Sequence, residues 1–364
     1  MFTEIAGIAV TFGLALLISI PLGKYLAKVY GNQKTLLDPL MNPVEKFIFK
    51  LSGINAQANM NWKQHMVAML TLNGVWFVAG MLVLMNMHLL PLNPDGNPGM
   101  SADLAFNTAI SFVVNCNLQH YSGETSLSYL GQLYLMFLQF VSAATGMAAA
   151  VVIFEALKQK GNSATGNFYV WFLKSITRVL LPLSVIVALI FLLRGMPMTF
   201  AGKDTMITLQ GDTVQVARGP VAAFVPIKHL GTNGGGFFGT NSAHPLENPD
   251  YLTNMVELVA QLIIPFAMIF ALGYYLQRKR LALMIFGVMT VGFLCLAIPT
   301  MVMEIRGNPL LNAMGIDSGA GAMEGKEVRF GAAASGFWSI ATTVISTGSV
   351  NAMHDSSMPL SGMN

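Results

Sequence analysis

Three short runs of small polar residues stand out because the sequence around them is nearly free of charge. They are Val114-Asn115-Cys116-Asn117, with Gln119 just beyond, then Gly231-Thr232-Asn233-Gly234-Gly235-Gly236, and Ser346-Thr347-Gly348-Ser349. Each follows a short apolar, helix-like run, at residues 105–112, 221–227 and 333–341. A helix that stops at such a tract turns its negative dipole end toward it. Glycine admits the φ angles that aim successive carbonyls at one axis, and those oxygens can replace the hydration shell of a cation. The tracts therefore read as pieces of a cation filter.

Other chemistry fits less well. The triple glycine could cradle a phosphate, but it lacks the Lys-Ser/Thr ending and the strand-then-helix setting of a P-loop. His244 lies near Glu247, and His354 adjoins Asp355, yet neither pair has a nucleophile or a third ligand at useful spacing. These groups read as capping, packing or lining a vestibule. His65, His88, His120 and His229 stand alone and read as structural, and residues 323–327 (MEGKE) as a solvated lead-in or vestibule wall. Cys116 and Cys295 form neither a disulfide framework nor a zinc pattern.

The elements that must position these tracts follow from composition. Of 364 residues, 54% are hydrophobic and 10% charged, and mean hydropathy is +0.58. A soluble chain carries about 25% charged residues, so this composition excludes a soluble enzyme, a secreted disulfide domain, a disordered chain and a nucleic-acid binder. It indicates an all-α polytopic protein whose solvent is the lipid bilayer. The 25 methionines, mostly within apolar runs, read as core or lipid packing. The acidic start Met1-Phe2-Thr3-Glu4 argues against a cleaved signal, so the first apolar stretch is expected to stay as a helix.

Six charge-free windows are predicted to cross a bilayer: residues 5–23, a part of 64–93, a part of 125–154, a window centred on 179–193, then 258–277 and 281–303. The fourth is short, and Lys174 and Arg178 are expected to snorkel to its interface. With the N-terminus outside, 13 of the 20 Lys and Arg residues fall inside, the Arg278-Lys279-Arg280 turn among them. Residues 29–62 read as an inner-face connector with an interfacial helix.

Each outer connection holds a further charge-free stretch, at 104–123, 229–246 and 330–354. The last is compatible with a seventh ordinary span or with a re-entrant segment. Aligning Val114, Thr232 and Ser346 gives spacings of 118 and 114 residues, an internal repeat of helix, half-helix, tract and helix. This predicts an N-terminal helix and connector (1–61) and pore repeats at 62–160, 166–279 and 280–364, the last incomplete. A fourth tract is expected near position ~460, so the chain reads as C-terminally truncated.

At the tracts the sequence resembles the KdpA family, the potassium-binding subunits of the ATP-driven KdpFABC uptake complex. The resemblance rests on Met60-Asn61-Trp62-Lys63-Gln64, Tyr121-Ser122-Gly123-Glu124-Thr125, Leu230 through Phe238, His244-Pro245 and Glu247-Asn248-Pro249. It extends to Met323-Glu324-Gly325-Lys326-Glu327, Arg329-Phe330-Gly331 and Ala352-Met353-His354-Asp355-Ser356. The resemblance implies the membrane-pore-membrane fold of the superfamily of K+ transporters, with an extra N-terminal helix, in a bacterial inner membrane. It implies that K+ is taken from outside in a filter and passed through an intramembrane tunnel to the P-type ATPase subunit, KdpB, with KdpC and KdpF as further partners. The chain is then not itself an enzyme, and needs no organic cofactor. Carried over by the resemblance, the K+ positions are Val114, Asn115, Cys116, Asn117, Gln119, Thr232, Asn233, Gly234, Ser346, Thr347 and Gly348. Val114 and Cys116 stand where hydroxyl residues occur in relatives, so backbone carbonyl ligands survive there and hydroxyl ligands do not. Two rival readings are a channel or secondary K+ transporter of the same architecture, and a truncated or split-gene fragment that does not transport alone.

Overall fold

The computed structural model describes residues 2–159, 165–316 and 319–364. Lys160 and the boundary between the first two expected repeats fall on residues outside these. Among the described residues six helices are long and apolar enough to cross a membrane, as the six windows predict. They are α1 (Phe2–Tyr30), α3 (Trp62–Asn86), α5 (Tyr129–Lys158), α6 (Phe168–Leu193), α8 (Tyr251–Tyr275) and α9 (Lys279–Arg306). Between them lie α2 (Asp38–Ser52) and the short helices α4 (Ala102–Val113) and α7 (Val221–Leu230), and a third short helix, α10 (Ala332–Val344), follows α9.

The spans begin where side chains satisfy otherwise orphaned amides. Asn61 and Gln64 form a reciprocal capping box at α3, and Asp250 and Thr253 form one at α8. Ser128 caps α5, and Asn167 caps α6.

The short helices have 12, 10 and 13 residues. At 1.5 Å per residue they reach about 15–20 Å, against the roughly 30 Å of a hydrocarbon core. The stretch 330–354 is therefore not a seventh span, because α10 ends at Val344 and gives way to the third tract.

The fourth span departs from expectation. It starts at Phe168 and runs through a π-helical turn at Ile176–Leu180. Arg178 does not snorkel, and its side chain is only 4% exposed. Its Nε and Nη2 donate to Glu45 at 2.7 Å each, Nη2 also donates to Asn42 at 2.7 Å, and Nη1 donates to Asp38 at 2.5 Å. Those three acceptors sit at i, i+4 and i+7 of α2, which is one helical face. All three nitrogens of the guanidinium therefore have acceptors on α2. Lys174, which is half-buried, donates to the exposed Asn32 at 2.6 Å, in the turn that follows α1.

The first helix packs along α8 in parallel. A Cβ built on Gly7 would lie 2.4 Å from the Tyr251 hydroxyl, and one on Gly23 would lie 2.8 Å from the Ala267 carbonyl oxygen. Glycine at both ends therefore lets the two backbones approach closely. The otherwise helical fold includes one antiparallel hairpin among the described residues, β1 (Asp204–Ile207) with β2 (Thr213–Val216), in register Asp204↔Val216.

Candidate cation-binding site

The three short helices end at the three tracts with one shared backbone pattern. The amide of Cys116 donates to the Ser111 carbonyl at 2.9 Å, that of Asn233 to Lys228 at 3.0 Å, and that of Thr347 to Thr342 at 2.9 Å. Each bond spans five residues, so these three positions are equivalent. The flanking residues then fall into left-handed conformation in alternation. These are Asn115 (φ 64°) and Asn117 (50°), Thr232 (50°) and Gly234 (95°), and Ser346 (55°) and Gly348 (78°). Two left-handed residues separated by one ordinary residue turn successive carbonyls to one side of the chain.

This pattern corrects the expected alignment by one residue. Asn115, rather than Val114, is equivalent to Thr232 and Ser346, and the spacings become 117 and 114. Val114 is the helix cap of α4, its amide bonded to the Ile110 carbonyl at 3.1 Å just as Gly231 bonds to Ile227 at 2.7 Å.

The tracts converge. A Cβ added to Gly234 would fall 1.8 Å from the Thr347 carbonyl oxygen, and one added to Gly348 would fall 3.9 Å from that of Cys116. Asn115 Nδ2 donates to the carbonyls of Gly231 and Thr232 at 3.2 and 3.1 Å. Its Oδ1 accepts from Ser142 Oγ on α5 at 2.8 Å and from Asn233 Nδ2. Gln119 pairs with Gly236 in both directions, donating at 2.8 Å and accepting at 2.9 Å. It therefore ties the first tract to the second. An open cleft of about 630 Å³ runs along the tracts, lined by Val114, Cys116, Thr232, Thr342, Ser346 and Gly348 among others. On the far side of Asn115 and Thr232 a second cavity of about 410 Å³ is bounded by Asn73, Ser142, Thr145 and Met268.

The triple glycine follows the C-terminal end of α7, which is the electronegative end. That polarity opposes a phosphate and favours a cation. No group of three or more His, Cys, Asp or Glu side chains with metal-ligating geometry occurs among the described residues. Backbone carbonyls are a donor type suited to a large monovalent ion.

Several supporting residues were not singled out by the sequence. Gln132, Gln139 and Ser142 lie on one buried face of α5. Gln132 donates to the Phe237 carbonyl at 3.0 Å and Gln139 to that of Gly235 at 3.4 Å. Polar residues at helical spacing in an apolar window were the signal available. Lys228 and Glu247 form a fully buried ion pair, so Glu247 packs behind the tract and does not line a vestibule. His229 Nε2 lies 2.9 Å from Glu257, so this histidine is not isolated. His244 stacks flat on Phe238 with ring centroids 3.7 Å apart, and its Nδ1 accepts the Leu246 amide at 3.1 Å. Burial pushes this imidazole below its ordinary value. His65 Nε2 donates to the Thr165 carbonyl, 2.7 Å away, in a structural role. The lead-in 323–327 is not solvated throughout. Lys326 is 3% exposed and pairs with Glu304 of α9 at 2.9 Å. Arg329 reaches across to the carbonyls of Ala243 and Asn248 at 2.6 and 3.2 Å.

Comparison with known proteins matches residues 9–364 to the family described as KdpA, potassium-transporting ATPase A subunit. Curated proteins called potassium-transporting ATPase potassium-binding subunit align over the whole chain. They include those of Flavobacterium psychrophilum (66% identical), Flavobacterium johnsoniae (67%) and Phocaeicola vulgatus (55%). The chain covers 63%, 63% and 64% of their respective lengths.

Proposed function

Since this chain belongs to the KdpA family of potassium-transporting ATPase A subunits, we propose that it binds and translocates K+ within an ATP-driven uptake complex. Potassium enters from outside, loses water to carbonyls of the three tracts, and passes through an intramembrane tunnel to a P-type ATPase subunit of the KdpB kind. KdpC- and KdpF-type subunits complete the assembly in a bacterial inner membrane, with the N-terminus of this chain outside. The observation that carries the reading is the shared alternation of left-handed residues at Asn115/Asn117, Thr232/Gly234 and Ser346/Gly348, each at a negative helix end. It supports a common direction for successive carbonyls in each tract.

In this reading the ligand positions are Asn115-Cys116-Asn117, Thr232-Asn233-Gly234 and Ser346-Thr347-Gly348. Val114 and Gln119 act beside them, the first as helix cap and the second as a tie between tracts. Residues 62–160, 166–279 and 280–364 are successive pore repeats after an N-terminal helix and connector at 1–61. The chain contributes binding and passage, and ATP hydrolysis resides on the partner.

The test is K+-stimulated ATP hydrolysis by the assembled complex in vesicles, together with 86Rb+ or K+ uptake. Stimulation by K+ that Na+ does not reproduce is the expected result. A complex that hydrolyses ATP without regard to K+ and takes up none overturns the proposal.

A further inference from the structure

Behind the second tract lie ionisable side chains shut off from solvent. Lys228 and His229 close α7, Glu247 follows the tract, and Glu257 projects from α8. Burying an ammonium and a carboxylate is costly, and an apolar pair often packs at no loss of stability. Retaining the charges here calls for a geometric reason.

The contacts supply one. The Lys228 carbonyl accepts the amides of Asn233 at 3.0 Å and Gly234 at 3.3 Å, so its backbone holds the tract from one side. Its Nζ donates to Ser242 Oγ at 2.7 Å and to Glu247, so its side chain holds the returning chain from the other. The second Glu247 oxygen accepts the Phe238 amide at 3.2 Å. Asn241, adjacent to Ser242, donates Nδ2 to the Gly234 carbonyl at 2.8 Å and leaves that oxygen one lone pair. The path from Lys228 through Ser242 and Asn241 therefore ends on a tract carbonyl. On its opposite flank Gly234 has no slack, because Thr347 stands against it.

We propose that Lys228 is a positioning residue for ion selection, whose strap to Ser242 and Glu247 sets the direction of the second tract's carbonyls. The inference rests on the function proposed above and adds a specificity determinant outside the tracts. Discrimination between K+ and Rb+ or Na+ depends on the number and placement of oxygens. A strap that fixes placement then acts on selectivity as well as on assembly.

The test uses the full-length subunit in its assembled complex. Lys228→Met/Glu247→Gln removes both charges at similar volume and avoids stranding one of them. Apparent K+ affinity is expected to fall about tenfold, equivalent to about 1.4 kcal/mol, with a narrowed K+/Rb+ preference and near-normal turnover at saturating K+. Ser242→Ala, a change small enough to fold in any case, is expected to shift both quantities two- to threefold in the same direction. If the double variant does not assemble, Ser242→Ala decides alone. Unchanged affinity and K+/Rb+ preference in a K+-stimulated complex overturn the strap and leave the proposed function standing. Absence of K+ stimulation in the unaltered complex overturns the function and the strap with it.

Discussion

Gly234 and Thr347 meet backbone against backbone, so closely that a single methyl group on Gly234 would sit 1.8 Å from the Thr347 carbonyl oxygen. The second and third tracts are thus spaced by the absence of a side chain. Neither can shift without the other, since Gly234 also holds a φ of 95° that L-residues rarely adopt.

Gly234→Ala is accordingly expected to lower apparent K+ affinity by two orders of magnitude or more, or to prevent assembly. Gly74→Ala in α3, where nothing lies within 4 Å of the added carbon, is the matched control. It should be neutral or slightly stabilising, because alanine exceeds glycine in helix propensity. K+-stimulated ATP hydrolysis and thermal stability of the complex report both.

Arg178→Met should release α2. The substitution leaves Glu45 buried without its partner, which costs about 3–5 kcal/mol. Amide exchange or limited proteolysis of residues 34–52 is expected to accelerate sharply, while protection of α8 stays unchanged. Arg178→Lys should recover only part of the protection, since one ammonium cannot serve Asp38, Asn42 and Glu45 together.

Acidification acts on His244. Burial holds its folded value below the ordinary ~6.5, and protonating Nδ1 would break its bond from the Leu246 amide. Glu247, Glu124 and Glu327 oppose that shift, and Arg329 reinforces it. The unfolded chain binds the proton more readily, so the contribution of His244 to stability is full above pH ~6.5 and is lost as pH falls below it. A thermal-melt series from pH 8 to 5 checks the direction. His244→Asn, which keeps an acceptor for Leu246, should flatten it.

Cys116 faces the cleft beside the tracts, and both cysteines are exposed. A methanethiosulfonate reagent is expected to abolish K+-stimulated hydrolysis, and millimolar K+ should protect. Cys116→Ser should resist the reagent, whereas Cys295→Ser on α9 should remain sensitive.

What the sequence disclosed and what it hid divide along physical lines. The spans were readable because charges interrupt them, and the half-helices were readable because their apolar runs are too short before each polar tract. The one-residue offset at Val114 was not readable. Asparagine, threonine, serine and glycine alternate in the tracts, and only backbone bonds from Cys116, Asn233 and Thr347 reveal which positions correspond. The buried ion pairs were hidden for another reason. Arg178 finds Glu45 133 residues away, and a lone charge in an apolar window is naturally assigned to the interface when its partner is out of sight. Lys326, in a charged run that reads as solvated, likewise has a partner, Glu304, that its own stretch of sequence does not show.

The close fit of α1 against α8 has a consequence in time. Its glycine contacts, Gly7 with Tyr251 and Gly23 with Ala267, join segments synthesised some 240 residues apart. At about 5–20 residues per second, α1 spends roughly 12–50 s in the bilayer before its partner emerges from the ribosome. During that interval the two glycines face acyl chains, and the helix must hold its orientation on its own terminal charges. A defect at Gly23 would therefore leave early insertion intact and surface only once the fifth span arrives, as a late failure of assembly.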